Sequence, residues 1–225
     1  MPSSQLDNPF WWSLRTRHQA IALGNDAWAR YPAEFAPFLG VANAAVDLRG
    51  ALAPGEQAFL LGVLPAIPEG WQLQTFRPLA QMVCPTPMAL VDGPEVLALT
   101  DRHRNDVLAL TALVYPHYFR TRTLDLGRYF GIYQDGRLAA MIGERLGTDD
   151  HQELSAICTH PDYLGRGYAR RLTALLTNDN LQLGRLPFLH VSYENLRARQ
   201  IYEQLGYQVR TDIPFWSLQR PSTDP

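Results

Sequence analysis

His160-Pro161-Asp162-Tyr163-Leu164-Gly165-Arg166-Gly167-Tyr168-Ala169-Arg170-Arg171 is the stretch that decides how this chain is read. The apolar run before it, Leu154 to Thr159, reads as a strand, and behind it Ala169, Leu172, Leu175 and Leu176 recur at helical spacing. A Gly-rich turn between strand and helix is a phosphate-binding arrangement. The first helical turn leaves its N–H groups without internal partners, and aligned peptide dipoles make that end positive. Glycines at 165 and 167 permit φ values that other residues resist and let a phosphate come close to the backbone. Arg166, Arg170 and Arg171 add full charges on the same turn. Alone, such a Gly-x-Gly is equally well a turn that closes a strand-helix unit beside solvated arginines.

A second pattern, Asn195-x-x-Ala198-x-x-x-Tyr202-x-x-x-Gly206-Tyr207, changes that balance. Asn195 is placed to cap a helix after a strand at Phe188 to Ser192, and Tyr202 falls about two turns into that helix. Ala198, Ile201 and Leu205 share one helical face, and Gly206 ends it. The two patterns together resemble the GNAT superfamily of N-acyltransferases, over roughly residues 94 to 218. In that family the cofactor loop reads Gln/Arg-x-x-Gly-x-Gly/Ala and the later helix reads Asn-x-x-Ala-x-x-x-Tyr-x-x-x-Gly-Phe/Tyr. Both motifs in this order and spacing are more specific than either alone.

The resemblance implies an acetyl-CoA (coenzyme A) co-substrate whose pyrophosphate is held by the amides of Gly165, Arg166, Gly167, Tyr168, Ala169 and Arg170. It implies that Ile157, Cys158 and Thr159 bind the pantetheine arm through main-chain groups, as if it were another strand. It gives Asn195 a contact to the pantetheine end and gives Tyr202 the role of protonating the departing thiolate. Leu164 departs from the pattern, standing where the family has Gln or Arg, which removes a side-chain brace and leaves the amides in place. The implied fold class is α/β (α+β), a mixed, mostly antiparallel sheet flanked by helices.

The chemistry follows independently of the resemblance. An amine with a pKa of about 10 is mostly protonated at neutral pH, so transfer needs a base to free the lone pair and an acid for the leaving sulfur. The carbonyl oxygen gains negative charge, for which the N–H of Ile157 or Cys158 is the natural donor. His190 is the first candidate base, on a strand with Leu189 and Val191 facing the other way. The family often carries its base five residues before the Asn. Glu153 and Glu144, at strand ends, are the rivals. Each has an ordinary reading as well: a satisfied strand histidine, solvated carboxylates, and for Tyr202 a packed ring with its hydroxyl at the rim. Glu194 reads as part of the turn before the helix, and Cys158 as a buried hydrophobe rather than a nucleophile.

With 225 residues, 46% of them hydrophobic, the chain can bury one large core or two small ones. A net charge of −2, with pI near 6.3 and mean hydropathy −0.19, carries no footprint for nucleic acid. Cys84 and Cys158 lie far apart without ligand-like spacing, so no metal site and no disulfide framework is expected. Met1 to Phe10 lacks a basic segment followed by an apolar run, and no stretch approaches the ~20 apolar residues that span a bilayer. No membrane partner and a cytoplasmic location are the expectations, with a homodimer left open.

Working outward, Asp101 to Val114 reads as a helix stopped by Tyr115-Pro116. Tyr129 to Tyr133 and Leu138 to Glu144 flank Gln134-Asp135-Gly136-Arg137, a hairpin signal, and Ile213 to Leu218 reads as the last strand. Earlier, Asn8-Pro9 opens a helix through Trp11 and Trp12, and Gln19 to Arg30 reads as another. Strands are expected at Ala58–Leu61 and Trp71–Arg77, before a Pro-rich linker from Cys84-Pro85-Thr86-Pro87 to Asp92-Gly93-Pro94. This divides the chain into a smaller N-terminal α/β unit, 1–93, and a transferase domain, 94–220. The first unit is either a degenerate copy of the second or an acceptor-side element. Phe10, Trp11, Trp12 and Trp28 line an acceptor pocket or form core, the core being the better reading.

The expected activity is transfer of an acetyl or short acyl group from coenzyme A to a primary amine, by direct attack in a ternary complex. The acceptor is a small molecule or a protein, and no motif names it. A non-catalytic acyl-CoA sensor is the alternative. A nucleotide-binding regulator is a weaker third reading, lacking a Gly-Lys-Ser/Thr.

Overall fold

The computed structural model of the chain describes residues 4–90, 92–114 and 116–222. Tyr115, expected to help stop a helix, Val91 of the Pro-rich stretch and Met1 to Ser3 lie outside them. In chain order the elements are α1 (Pro9–Arg15), β1 (Leu23–Gly24), β2 (Trp28–Arg30), β3 (Leu39–Val41), β4 (Gln57–Leu61), β5 (Gln72–Thr75) and β6 (Leu79–Val83). Then come β7 (Leu97–Leu99), α2 (Arg104–Val114), β8 (Tyr129–Gln134), β9 (Arg137–Gly147), β10 (His151–Thr159) and α3 (Tyr168–Gln182). The chain closes with β11 (Leu186–Ser192), α4 (Leu196–Gln204), β12 (Gln208–Ile213) and β13 (Phe215–Gln219).

The central sheet has seven strands in the order β12-β6-β11-β10-β9-β8-β7, antiparallel except for the parallel pair β10 and β11. The expected hairpin is β8–β9, where Asp135 (φ 53°) and Gly136 (φ 73°) make the left-handed turn that matches strand twist. β9 is almost continuously buried because both of its faces are covered. Leu172 and Leu176 of α3 join Ala139, Ile142 and Leu154 on one face. Val107 and Leu110 of α2 pack with Met141 and Cys158 on the other. The buried stripe of α3 is Tyr168, Leu172 and Leu176 with Thr173 and Thr177, while Ala169 and Leu175 are only half-buried.

The boundary expected at 93/94 does not separate two sheets. β6, from the first segment, lies between β11 and β12 in the central sheet, and β13, from the last, pairs with both β4 and β5. Pro214 is the pivot: it has no N–H to continue a ladder, so the expected single strand over Ile213–Leu218 divides into β12 and β13 in different sheets. The helix expected over Gln19–Arg30 is instead a 3₁₀ turn, Gln19–Ile21, followed by the β1–β2 hairpin. Asn25 causes this, its side-chain oxygen accepting from the N–H groups of Ala27 (2.8 Å) and Trp28 (3.1 Å), a turn that competes with helix. Asn8 precedes α1 as expected, yet its amide donates to the Val41 carbonyl at 2.7 Å rather than capping the helix.

Candidate active site

Pairing between β10 and β11 covers three positions and ends at Glu153 and Phe188. Beyond it β11 continues alongside β6, while β10 stays with β9. The two strands therefore splay, and the edge of β10 from Leu154 onward faces a cleft instead of a neighbour. An unpaired strand edge is a row of donors and acceptors ready for an extended ligand. The cleft opens into a cavity of about 320 Å³, lined by Leu154–Cys158 of β10, Leu189–Ser192 of β11, Asn195 and Tyr202. Of the expected main-chain wall, Ile157 and Cys158 line the cavity, whereas Thr159 does not and pairs with Ala140.

β10 also carries a bulge. Ser155 pairs with Gly143 and Cys158 with Met141, so one extra residue is inserted, and Ala156 takes φ 50°, in the left-handed region that a side chain resists. Such strain costs of order 1–3 kcal/mol and it sits in the cavity wall. Of the two expected donors for the carbonyl oxygen, Ile157 falls inside the bulge and outside the ladder register, whereas Cys158 is paired with Met141. Burial pushes the Cys158 thiol up to about 12, which fits a packed hydrophobe and not a nucleophile.

The Gly-rich loop lies at the same end. Gly165 (φ 79°) and Gly167 (φ 77°) are both left-handed, with open space where a Cβ would stand. The first helical bond of α3 runs from the Arg171 N–H to the Gly167 carbonyl at 3.0 Å, so the N–H groups of Tyr168, Ala169 and Arg170 precede the helical ladder. Positive amides, left-handed glycines and a free strand edge fit the pyrophosphate and pantetheine of coenzyme A. The arginines divide. Arg166 stacks on Tyr163 at 4.9 Å, Arg170 is exposed and reaches Gln204 at 3.3 Å, and Arg171 turns to the Pro94 carbonyl at 2.9 Å. Asn195 caps α4 through the Ala198 N–H at 3.2 Å, and Tyr202 is buried on that helix with its ring 6.0 Å from Tyr207.

The three candidate bases separate sharply. Glu144 is fully buried on the α3 face of the sheet, held by Arg128 and by Asn180 at 2.9 Å, and it is not among the cavity residues. Adjacent residues of a strand face opposite ways, so Glu144 and Arg145 serve different faces. Of the three expected bases, Glu144 is therefore the one the fold keeps away from the cavity. Glu153 does line the cavity, but the Arg145 guanidinium grips it in a two-pronged pair at 2.9 and 2.8 Å. Although burial alone would raise it, Arg145 and His190 hold its carboxyl at about 2, too weak a base for neutral pH. His190 lines the cavity with both ring nitrogens engaged: Nδ1 meets Glu153 at 2.8 Å and Nε2 meets the Gln81 side-chain nitrogen at 3.0 Å.

Gln81 is itself fixed, its Nε2 donating to the Leu6 carbonyl and its Oε1 accepting from Arg210, each at 2.8 Å. Arg210 in turn pairs with Asp7 at 2.5 Å. A row of polar side chains thus runs across five strands: Arg145 (β9), Glu153 (β10), His190 (β11), Gln81 (β6) and Arg210 (β12). Glu153 fixes the Nδ1–H tautomer, which leaves Nε2 as the acceptor atom. Gln81, Arg145 and Arg210 carried no local signal, and β6 was not read as a strand.

A splayed parallel strand pair, closed by a Gly-rich helix N-terminus and an Asn-capped helix, defines the class: an acyl-CoA N-acyltransferase fold. A family model described as FR47-like protein matches residues 129–216. The structure of a GNAT-family acetyltransferase-class protein from Novosphingobium aromaticivorans is 30% identical, covers 98% of this chain and 100% of its own, and superposes with a TM-score of 0.89. A GCN5-related N-acetyltransferase from Kribbella flavida, 16% identical over 95% of this chain and 93% of its own, shares the fold with a TM-score of 0.62. No curated protein matches the sequence. This chain belongs to the GNAT family of acetyltransferases.

Among the described residues no group of His, Cys, Asp and Glu is arranged to hold a metal ion, and no helix is long and apolar enough to cross a membrane.

Proposed function

We propose that the protein transfers an acetyl or other short acyl group from coenzyme A to a primary amine, by direct attack with both substrates bound. The observation that carries this reading is the single cleft in which the free edge of β10, Asn195, Tyr202 and the His190–Glu153 pair meet. The amine nitrogen forms a bond to the thioester carbonyl carbon while the carbon–sulfur bond breaks. One amine proton passes to Nε2 of His190, the incoming nitrogen taking the place of the Gln81 N–H. The sulfur leaves with the proton of the Tyr202 hydroxyl, giving an amide and a free thiol. Charge that grows on the carbonyl oxygen is met by the N–H of Ile157, in the bulge of β10 that lines the cavity. Arg145 and Glu153 act on the ring only by position and charge.

The acceptor partner is a small amine or a side chain narrow enough for a cavity of about 320 Å³. The test is calorimetric titration with acetyl-CoA, free CoA and ATP, followed by thiol release with amines. Binding of the first two without ATP, and amine-dependent thiol release that collapses in Tyr202→Phe, is the expected result. Binding with no amine-dependent release, unchanged by Tyr202→Phe, is the signature of a sensor and overturns the enzyme reading. No CoA binding by folded protein overturns both.

A further inference from the structure

The walls of the cavity that the acyl-transfer chemistry does not use are apolar, four rings set beside Leu61, Leu79 and Val114. Phe10 of α1, Phe38 before β3, Tyr118 between α2 and β8, and Phe215 of β13 all line it. Phe10 stacks on Phe38 at 4.3 Å, Phe38 lies 6.3 Å from Tyr118, and Tyr118 lies 6.2 Å edge-on to Phe215. Phe59 and Phe76 brace them from behind, 5.4 and 5.2 Å from Phe215. Flat rings set edge-on and offset leave slots that suit another ring.

This wall is tied directly to the proposed base. The Arg145 guanidinium lies 4.9 Å over Phe38 while forking to Glu153, and Glu153 holds His190 at 2.8 Å. An amine poised at His190 therefore projects its body among the rings. Apart from phenols and the Cys158 thiol, the ionisable groups among the described lining residues are Arg145, Glu153 and His190, and they neutralise or hydrogen-bond one another. A second charge on the acceptor, whether carboxylate or ammonium, would be taken out of water beside groups already committed, at a large cost.

We infer that the acceptor is a primary amine carried on an aromatic, otherwise uncharged body, seated between Phe38, Tyr118 and Phe215. This rests on the acyl-transfer reading above and names the class of its second substrate. The reaction it implies is the same: a nitrogen–carbon bond replaces the carbon–sulfur bond, a proton goes to His190, and the thiol is released. Product is a neutral aryl-substituted amide. Hydrophobic sites discriminate weakly between close sizes and strongly against buried charge, so selectivity is expected against charge rather than against ring substituents.

The experiment measures thiol release from acetyl-CoA with 2-phenylethylamine, benzylamine, phenylalanine, lysine and spermidine. The sequence holds 20 arginines and no lysine, so the protein has no lysine side chain to acetylate and contributes little background. The expected kcat/KM for 2-phenylethylamine exceeds those of phenylalanine and spermidine by at least tenfold. Tyr118→Ala, at a half-buried position, should raise the 2-phenylethylamine KM about tenfold while the acetyl-CoA dissociation constant, read by calorimetry, moves less than twofold. Preference for phenylalanine, lysine or spermidine overturns the inference and leaves the transferase standing, whereas acetyl-CoA binding with none of the panel acetylated overturns the inference and counts toward the sensor. A rate that climbs from acetyl-CoA to hexanoyl-CoA, with no preference among amines, assigns the rings to the acyl chain and also overturns it. Failure to bind acetyl-CoA sinks the proposed function together with the acceptor class.

Discussion

The two sides of the cleft are built in opposite ways. The cofactor side comes from one run of chain, β10 through α4, in which backbone groups do the expected binding and side chains mostly stay out of the way. The proposed acceptor side is assembled from α1, the approach to β3, the ends of β4 and α2, the start of β6, the 116–122 segment and the start of β13, and its residues are apolar or aromatic. A backbone site tolerates substitution wherever φ and space are kept, whereas a side-chain site changes its ligand with each ring replaced. The same scaffold can thus keep one substrate and exchange the other.

The sharpest way to break this contrast is to charge the loop. Gly167→Asp places a carboxylate in open space at a left-handed position that Asp tolerates better than most residues. Acetyl-CoA affinity should fall more than about 100-fold, since like charge then faces the pyrophosphate. Phe215→Leu on the other wall should change that affinity less than about twofold, both read by calorimetry. Equal losses would mean that the two sides are one site.

Next in size are the proton-handling groups. Tyr202→Phe and His190→Gln should each lower kcat about 100-fold with acetyl-CoA binding retained, the usual scale for a lost general acid or base. Stopped-flow thiol release separates this step from product release. Glu144→Gln is the control from the far face of the sheet. It should leave kcat within about twofold and cost about 1–3 kcal/mol of stability, because a buried carboxylate bonded to Arg128 and Asn180 is replaced by an amide that satisfies fewer partners. A loss of kcat there would undo the separation of the two glutamates.

The smallest expected effect is on pH stability, and it has two windows. His18 is buried with Nε2 on the Leu126 carbonyl at 2.9 Å and Nδ1 near Tyr31 at 2.8 Å, and burial lowers its pKa below the ordinary 6.5. The unfolded chain then binds a proton that the native one refuses, so its stabilisation is complete above 6.5 and is lost as pH falls below it. Glu153, held at about 2 against an ordinary 4.5, is ionised in both states at neutrality and adds its loss only below 4.5. Urea midpoints should decline between pH 6.5 and 5, and His18→Gln should flatten that decline while leaving the steeper one below 4.5.

How much of this could be read beforehand follows from the same contrast. The cofactor wall was legible because left-handed turns, caps and helix faces leave short-range signatures: Gly165, Gly167, Asn195 and the Asp135-Gly136 hairpin each appear where expected. The acceptor wall was not, because nothing local in Phe38, Tyr118 or Phe215 says that a long-range fold will set them together. Gln81 shows the limit most clearly. Its strand is too short to alternate convincingly, and its meaning comes from neighbours 109 and 129 residues away. Likewise Asn25 hid a hairpin inside a helix-like run, and Pro214 moved the chain between sheets.

The row from Arg145 to Arg210 ends on Asp7, 203 residues before its partner. Gln81, which positions the His190 ring, is tied to Leu6 at one end of the chain and to Arg210 near the other. Contacts so distant in sequence form late, because the entropy of closing the loop must be met before any bond repays it. A growing or clipped chain would complete its cofactor loop while the imidazole still lacked its support. The support of the His190 ring is therefore a late acquisition, complete only when the Gln5–Asp7 turn and β12 have both docked against β6.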